Sequence, residues 1–288
     1  MSSRFRLRAG LALALPLAAA TSALGVAGPW VENAEARARL IGDATALGLE
    51  FELQPGWHVY WRNSGDAGYA PRLDFSATPA IQDARLLFPA PRRFDLAAGM
   101  VSFGYERAVI YPIAATIAPA PGTALDLSAR LDYLVCRDEC IPHRADLTLT
   151  IPAKAASADP ESARLAAARA ALPLPAGATP EAPRVNLRVS PAADGALELE
   201  LSATGGGWRA AAPDLFFDSH PLFALGRPQF QASQSGLRFL IRLQPLDLTR
   251  PLPATTDFAW TVTGLERSVA GAPAPVALAG ITSVVLPR

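Results

Sequence analysis

Apolar and polar residues alternate along several stretches of this chain, with the period of two that is typical of β-strands with one solvated face. In the first half the pattern, or a mostly apolar run, is found at Ala46–Leu53, Trp57–Trp61, Ala108–Ile117, Leu125–Val135 and Ala145–Ile151. It returns in the second half at Val185–Val189, Ala196–Leu201, Leu237–Leu243, Phe258–Val262 and Val276–Leu286. The sequence therefore predicts an all-β protein with two groups of strands.

A different pattern separates the two groups, over residues 153–183. Asp159 and Pro160 are suited to the N-cap and the first position of a helix, and the alanine-rich stretch Glu161–Leu172 ends before Pro173. A Pro- and Ala-rich tail continues to Pro183. We therefore expect a short helix and linker between two immunoglobulin-like β-sandwich domains, at residues 28–152 and 184–288.

The N-terminal residues have the pattern of a secretory signal peptide. Arg4, Arg6 and Arg8 precede an apolar run from Ala9 to Leu24, and small residues follow at cleavage spacing. We assign residues 1–27 to this signal. No later stretch approaches the roughly 18 to 20 apolar residues that a transmembrane helix needs. The mature protein is therefore expected in a periplasm, where it is soluble or at most peripheral.

Composition limits the classes of partner. The 26 basic and 26 acidic residues balance, so the charge gives no indication of binding to nucleic acid or to an anionic membrane surface. The 27 prolines and 21 glycines, in a chain that is 50% hydrophobic, predict short strands joined by many turns.

The only two cysteines, Cys136 and Cys140, lie four positions apart. A disulfide needs Cα atoms about 4.4–6.8 Å apart, whereas this spacing covers roughly 13 Å on an extended strand, so the segment must turn back on itself. A ring this small stabilises a fold by only about 2 kcal/mol. Such a bond suits thiol–disulfide exchange, although small structural disulfides also occur in exported proteins.

Four blocks in order resemble a known family: Pro55–Gly68, Phe88–Phe94, Phe103–Glu106 and Tyr133–Pro142. Together they are similar to the periplasmic N-terminal domain of the DsbD and ScsB group of protein-disulfide reductases, and the short cysteine spacer and second β region resemble the ScsB branch more. The resemblance implies an immunoglobulin-like domain that takes electrons from a membrane-embedded module and passes them to periplasmic disulfide partners. The group is associated with cytochrome c biogenesis, and its ScsB branch with copper tolerance.

The resemblance also implies roles for single residues. Cys140 matches the cysteine that forms mixed disulfides and Cys136 its resolving partner, while Phe103 and Tyr105 match an aromatic cap loop that shields the sulfurs. The redox-active disulfide would be the working group, with no further cofactor. Members of the group usually continue into a multi-helix membrane domain and a thioredoxin-like domain, which this sequence does not show, so we expect a membrane reductase supplied by another chain.

Other candidate sites are weaker. Cys136, Cys140 and His143 offer soft ligands to Cu(I) or Zn(II), but a fourth ligand is not evident. His58 and His220 are expected to be structural. Among the aromatic residues of the predicted strand at 57–61, Trp57 and Trp61 share one face and Tyr60 lies opposite, and core packing is the default expectation for the cluster.

Two classes of function remain open from the sequence. The first is a periplasmic redox carrier whose Cys136/Cys140 pair exchanges with partner disulfides. The second is a noncatalytic periplasmic β-sandwich that acts as a binding module and has a structural disulfide, with the link to copper that the ScsB resemblance implies. The sequence does not indicate the role of the C-terminal domain.

Overall fold

The structure is a computed structural model, which describes residues 26–43, 45–118, 123–153, 160–178, 182–205, 208–233, 236–269 and 272–287. Regular structure in these residues is almost entirely β. The strands are β1 (Val31–Glu32), β2 (Ala36–Gly42), β3 (Leu47–Leu53), β4 (His58–Gly65), β5 (Arg72–Asp74), β6 (Ile81–Leu86), β7 (Arg92–Asp95), β8 (Val101–Glu106), β9 (Ala108–Ile117), β10 (Leu125–Cys136), β11 (Cys140–Ile151), β12 (Leu174–Pro175), β13 (Arg184–Pro191), β14 (Leu197–Thr204), β15 (Trp208–Phe217), β16 (Phe223–Leu225), β17 (Gln229–Ser233), β18 (Gly236–Pro245), β19 (Thr255–Val269) and β20 (Ala272–Val285). One α-helix, α1 (Pro160–Ala170), and a 3₁₀ turn at Ala97–Gly99 complete the regular structure of these ranges.

The strands up to β11 form two sheets that share one core, and we call this part the first unit. One sheet has the order β1-β2-β3-β9-β6, and the other has the order β11-β10-β4-β8-β7, with β5 paired to β10. Alternate residues of each strand point inward and are buried, as Leu127, Ala129 and Leu131 show on β10. The period of two in the sequence thus becomes the inner face of a sandwich.

The strands from β12 onward form a second pair of sheets, the second unit. Their orders are β12-β20-β19-β15 and β13-β14-β18-β16, with β17 also paired to β18. A separate core lies between them, with Trp260, Phe239 and Phe258 among its largest buried side chains. The prediction of an all-β protein is therefore confirmed, and the immunoglobulin-like topology of each unit stays a prediction.

The helix predicted between the two groups of strands begins at Pro160 and packs on the first unit. Its Leu165 is fully buried beside Gly48 of β3, where a Cβ atom would meet the Leu165 side chain at 2.8 Å. Arg164 forms an ion pair with the buried carboxylate of Glu50, and Arg169 donates a hydrogen bond to the Ile113 carbonyl. The helix is thus a fixed part of the first unit. The predicted N-cap, Asp159, lies outside the described residues.

The two units meet at an apolar contact centred on Phe216 of β15. This side chain is 1% exposed and belongs to the core of the first unit, although its strand belongs to the second. Its ring packs edge-on against Trp61, with 5.9 Å between centroids, and against Phe103, at 5.2 Å. Phe216 of the second unit therefore fills part of the core of the first unit.

Polar contacts surround this aromatic centre. Arg93 makes two hydrogen bonds to the Asp214 carboxylate, at 3.0 and 2.9 Å, and its guanidinium lies over the ring of Phe216. Arg62 pairs with Asp218 at 2.5 Å, and the Asn63 amide donates to the Phe217 carbonyl at 2.7 Å. Arg62 and Asn63 belong to β4, so the second unit fastens the C-terminal half of that strand.

Some strands are longer than the composition predicts. The hairpin of β19 and β20 has strands of 15 and 14 residues, and β20 includes Pro273 and Pro275.

Most of the predicted signal peptide, residues 1–25, lies outside the described residues. Val26, by contrast, is buried in the core of the first unit. No helix among the described residues is long and apolar enough to cross a bilayer.

Candidate functional site

The two cysteines form a disulfide at the tip of the hairpin made by β10 and β11. The strands pair residue by residue from Leu125 with Ile151 to Cys136 with Cys140, and the Cα atoms of the cysteines are 4.2 Å apart. A three-residue turn joins them, closed by a hydrogen bond of 3.1 Å from the Arg137 amide to the Glu139 carbonyl. The segment turns back on itself as the cysteine spacing requires.

The two cysteines differ in exposure. Cys136 is only 2% exposed, because it pairs with Cys140 on one side and with His58 of β4 on the other. Cys140 begins β11, the edge strand of its sheet, and is exposed. Cys140 is therefore the more accessible residue of the pair.

Tyr60 lies directly on the disulfide. Its hydroxyl oxygen is 2.5 Å from Cys136 Sγ, to which it donates a hydrogen bond, and 3.4 Å from Cys140 Sγ. With Leu134, Cys136 and the half-buried Tyr69, it forms a small apolar cluster outside the main core. Burial raises the pKa of Tyr60 to about 12, so the phenol keeps its proton at neutral pH and acts as a donor.

Gly68 gives the Tyr60 ring its place. The glycine has a φ of +87°, and a Cβ atom there would lie 2.1 Å from the ring carbon Cζ. A side chain at position 68 would therefore collide with the ring as well as strain the backbone. The glycine-containing turn that follows β4 thus allows close contact with the tyrosine.

His58 lies beside Tyr60 on the same face of β4, with 5.2 Å between the ring centroids. Its ring stacks on Phe94 at 4.6 Å, and its Nε2 is 3.1 Å from the Ser102 hydroxyl. Burial lowers the pKa of His58 to about 4, and Glu106 opposes this shift only in part. The histidine is neutral near pH 7 and adds no positive charge beside Cys136.

Phe103 and Tyr105, the predicted cap residues, lie on the opposite face of the sheet from the disulfide. They are on β8, where Tyr105 pairs with Val59 and Gly104 pairs with Tyr60, so Gly104 shares the face of Tyr60. Phe103 packs against Phe216, and Tyr105 packs against Tyr111 and donates a hydrogen bond to the Pro89 carbonyl. In this structure Tyr60, and neither of the two predicted residues, lies over the sulfurs.

The charged turn at the hairpin tip directs its cation away from the sulfurs. The Arg137 guanidinium lies over the Trp57 ring, 5.0 Å from its centroid, and forms an ion pair of 2.9 Å with Asp138. Within the described ranges, no hydrogen bond or ion pair joins a charged side chain to Cys136 or Cys140. The local polar partner of the disulfide is the neutral phenol of Tyr60.

The metal ligands considered from the sequence are not brought together. Cys140 and His143 are three residues apart on β11, so their side chains point to opposite faces of the strand. His143 stacks on Tyr133, and its Nε2 is 3.2 Å from the Glu35 carboxylate. Across the residues that the structure describes, no group of three or more His, Cys, Asp or Glu side chains is placed to hold a metal ion.

The histidine and aromatic side chains named from the sequence have clear places. His220 is buried in the second unit, where it stacks on Phe258. Trp57 and Trp61 pack in the core of the first unit, while Tyr60 is on the opposite face beside the sulfurs. Core packing was the expectation for Tyr60, whose ring is fully buried but lies with Cys136; the alternation along β4 is the sequence signal that separates it from Trp57 and Trp61.

Comparison with known proteins gives a family and a related structure. Residues 29–152 match the family model "Thiol:disulfide interchange protein DsbD, N-terminal". The chain is also similar to the crystal structure of the N-terminal periplasmic domain of ScsB from Proteus mirabilis, with a TM-score of 0.69 and 22% identity. That match covers 91% of this chain and 99% of the other, so the likeness in fold includes both units. No curated protein sequence matches the chain.

Two chaperone structures also match, but they superpose poorly. The YadV chaperone has a TM-score of 0.20 at 9% identity, and covers 81% of this chain and 91% of its own. The CsuC–CsuE complex of Acinetobacter baumannii has a TM-score of 0.18 at 11% identity, with 84% and 92% covered. TM-scores this low support no argument about fold or function.

Proposed function

Residues 29–152 belong to the family of DsbD N-terminal domains, and from that premise we propose that this chain is a periplasmic thiol–disulfide exchange protein. It would carry electrons from a membrane-embedded reductase on another chain to periplasmic proteins that bear disulfides. The observation that carries the proposal is the disulfide at a hairpin tip, with one sulfur exposed and the other buried.

Electron uptake would occur in two exchange steps. A thiolate of the reduced partner attacks Cys140 Sγ, the Cys136–Cys140 bond breaks, and its electron pair goes to Cys136 Sγ. The partner's second thiolate then attacks its own sulfur in the mixed disulfide and releases Cys140 as a thiolate. The partner leaves oxidised by two electrons, which now reside on Cys136 and Cys140, and both sulfurs can take up protons from solvent.

Electron delivery would run through the same sulfurs in reverse. The Cys140 thiolate attacks the disulfide of a second partner and forms a mixed disulfide with one of its sulfurs. Cys136, held beside Cys140 by the hairpin register, then attacks Cys140 Sγ and releases the partner as a dithiol. The roles inferred from the resemblance, Cys140 in mixed disulfides and Cys136 in resolution, agree with the difference in exposure of the two residues.

The reduction potential of the Cys136–Cys140 pair tests the proposal. We expect a value between about −120 and −270 mV when the purified protein is equilibrated with glutathione or dithiothreitol, since exchanging pairs have potentials in this range. A value below about −300 mV would instead identify a structural disulfide. That result would favour a noncatalytic binding module.

Trapping provides the second test. Cys136→Ser leaves Cys140 without its resolving partner, so mixed disulfides with periplasmic proteins should accumulate in cells and disappear on reduction. Cys140→Ser is the matched control, because the remaining thiol is buried and should trap far less. Equal trapping by the two variants would contradict the assigned roles.

A further inference from the structure

We propose that Tyr60 is a catalytic residue of this exchange. Its hydroxyl donates a hydrogen bond to Cys136 Sγ as the disulfide opens, stabilises the thiolate that forms there, and so helps make Cys136 the leaving sulfur. This inference rests on the proposed function, because it assigns a role in the same reaction.

The placement of the hydroxyl is asymmetric. The Tyr60 oxygen is 2.5 Å from Cys136 Sγ but 3.4 Å from Cys140 Sγ. The nearer sulfur is the buried one, which receives the electron pair when a partner attacks the exposed Cys140. The donor is therefore already aimed at the atom on which negative charge develops, the arrangement that lowers a barrier most effectively.

A buried thiolate needs such a donor, because removal from water disfavours the charged form. The groups that face Cys136 from neighbouring elements supply little positive charge. His58 on β4 is neutral near pH 7, and Glu106 on β8 is paired with Arg92. Tyr69 is an uncharged phenol beside the site.

The turn at the hairpin tip does not supply that charge either. It contains Asp138 and Glu139 as well as Arg137, and Arg137 is held by Asp138 and the Trp57 ring. Among the described residues, Tyr60 is the side chain whose hydroxyl hydrogen-bonds these sulfurs. The stabilisation of a Cys136 thiolate thus depends on one phenol.

Tyr60 donates a hydrogen bond and not its proton. Burial makes the phenol a weaker acid than usual, so the proton stays on the Tyr60 oxygen while the electron pair of the broken S–S bond rests on Cys136 Sγ. Cys136 later gains a proton from solvent or reacts again as the thiolate. Proton and electron counts are therefore those of the ordinary exchange.

Two neighbours keep the hydroxyl in position. Gly68 leaves room for the Tyr60 ring at a distance that no other residue type would allow, and the edge of His58 closes the other side. A donor that is fixed before the reaction needs little reorganisation when charge appears.

The test compares Tyr60→Phe with Tyr69→Phe. Each change removes one hydroxyl from the same aromatic cluster, but the Tyr69 hydroxyl faces the Tyr133 carbonyl, at 3.4 Å, and not a sulfur. The rate of disulfide opening by dithiothreitol should fall by about tenfold in Tyr60→Phe, since hydrogen bonds to charged groups are among the stronger ones. Tyr69→Phe should open at the wild-type rate.

The direction of the change separates a hydrogen bond from packing. Loss of packing would loosen the hairpin tip and leave the opening rate unchanged or raised, whereas loss of the donor lowers it. A thermal unfolding curve of each oxidised variant shows whether the fold is intact. An opening rate in Tyr60→Phe equal to or above that of the wild type would overturn the inference.

This failure is distinguishable from failure of the proposed function. If the wild-type pair has a potential between about −120 and −270 mV and Tyr60→Phe opens as fast, exchange stands and the role of Tyr60 falls. If the wild-type potential lies below about −300 mV, the exchange function itself is contradicted, and with it the role of Tyr60.

Discussion

The two units of this chain each contain a long hairpin, and only the hairpin of the first unit ends in a disulfide. In the first unit, β10 and β11 pair without a register shift up to the disulfide. In the second, β19 and β20 are longer and pair with a register shift between Val262 and Leu265. The same supersecondary element thus serves in one unit as the support of a candidate site and in the other as framework.

The neighbouring strand accounts for much of this difference. Beside the tip of the first hairpin, β4 presents His58 and Tyr60 on its outer face, where they contact each other and the Tyr60 hydroxyl reaches the sulfurs. Near the tip of the second hairpin, the neighbouring strand β15 instead places Trp208 opposite Arg267 of β19. The first tip thus differs from the second in its two cysteines and in the Tyr60 hydroxyl beside them.

The largest expected effect comes from breaking the contact between the two units at Phe216. Phe216→Ala should lower the free energy of unfolding by about 3–4 kcal/mol, because it leaves a cavity among buried aromatic rings. Chemical denaturation monitored by tryptophan fluorescence measures this loss.

Phe230→Ala is the matched control for Phe216→Ala. This phenylalanine is on the same unit but is 41% exposed, so its removal should cost about 1 kcal/mol or less. Equal losses in the two variants would show that Phe216 does not join the units energetically.

The next effect compares two glycines with a positive φ, one in each unit, that differ in how closely other atoms approach them. Gly68→Ala should cost about 3 kcal/mol, because backbone strain at φ +87° adds to a collision with the Tyr60 ring. It should also slow disulfide opening by dithiothreitol, since the ring that carries the donor must move.

Gly195 of the second unit provides the comparison for Gly68. It has a similar φ of +80°, but a Cβ atom there would meet nothing within 4 Å. Gly195→Ala should therefore cost only the strain, about 1–2 kcal/mol, and leave the opening rate unchanged. A wild-type opening rate in Gly68→Ala would show that disulfide opening does not depend on the present position of the Tyr60 ring.

The smallest effect is a pH dependence carried by one buried histidine in each unit. The pKa of His58 is lowered to about 4, so below its usual value of about 6.5 the unfolded chain takes up a proton that the folded chain refuses. The free energy of unfolding should therefore fall by about 2 kcal/mol between about pH 8 and pH 5. His58→Phe should remove most of this loss, as urea titrations at the two pH values will show.

His220→Phe separates the contribution of the second unit. Burial also lowers the pKa of His220, which is buried among ring contacts and accepts a hydrogen bond from the Leu222 amide. The His220→Phe substitution should remove a smaller part of the pH dependence than His58→Phe. If His58→Phe and His220→Phe remove equal parts of this pH dependence, the two buried histidines do not differ in their contribution to stability.

Alternation along the sequence was sufficient to predict much of the architecture. The strands at Ala108–Ile117 and Leu125–Cys136, and the helix that begins at Pro160, follow from local patterns of apolar residues and helix signals. Strand β2 and the long β15 were missed. In β15, the stretch Arg209–Pro213 has no clear alternation, because Arg209 to Ala212 are exposed and the pairing with β19 is irregular between Ala210 and Asp214.

The site was predicted less completely than the fold, for a reason of geometry. The cysteine spacing predicted a turn, and the parity of β4 separated Tyr60 from Trp57 and Trp61. The pairing of β4 with β8 and with the hairpin tip joins residues distant in the sequence, so the contact of Tyr60 with the sulfurs was not accessible to local reasoning. Nor was the inward orientation of Phe103, which follows from the register of β8 with β4 and brings the ring against Phe216, more than 100 residues away.

Strand β4 is attached at both ends, and this limits where the chain can be divided. Its first residues contact the sulfurs, and its last ones, Arg62 and Asn63, are bound by Asp218 and the Phe217 carbonyl. A fragment cut after residue 152 would keep both cysteines but lose Phe216 and these anchors. The two units are therefore better regarded as a single structural module, in which the unit without cysteines braces the strand that lies beside the disulfide.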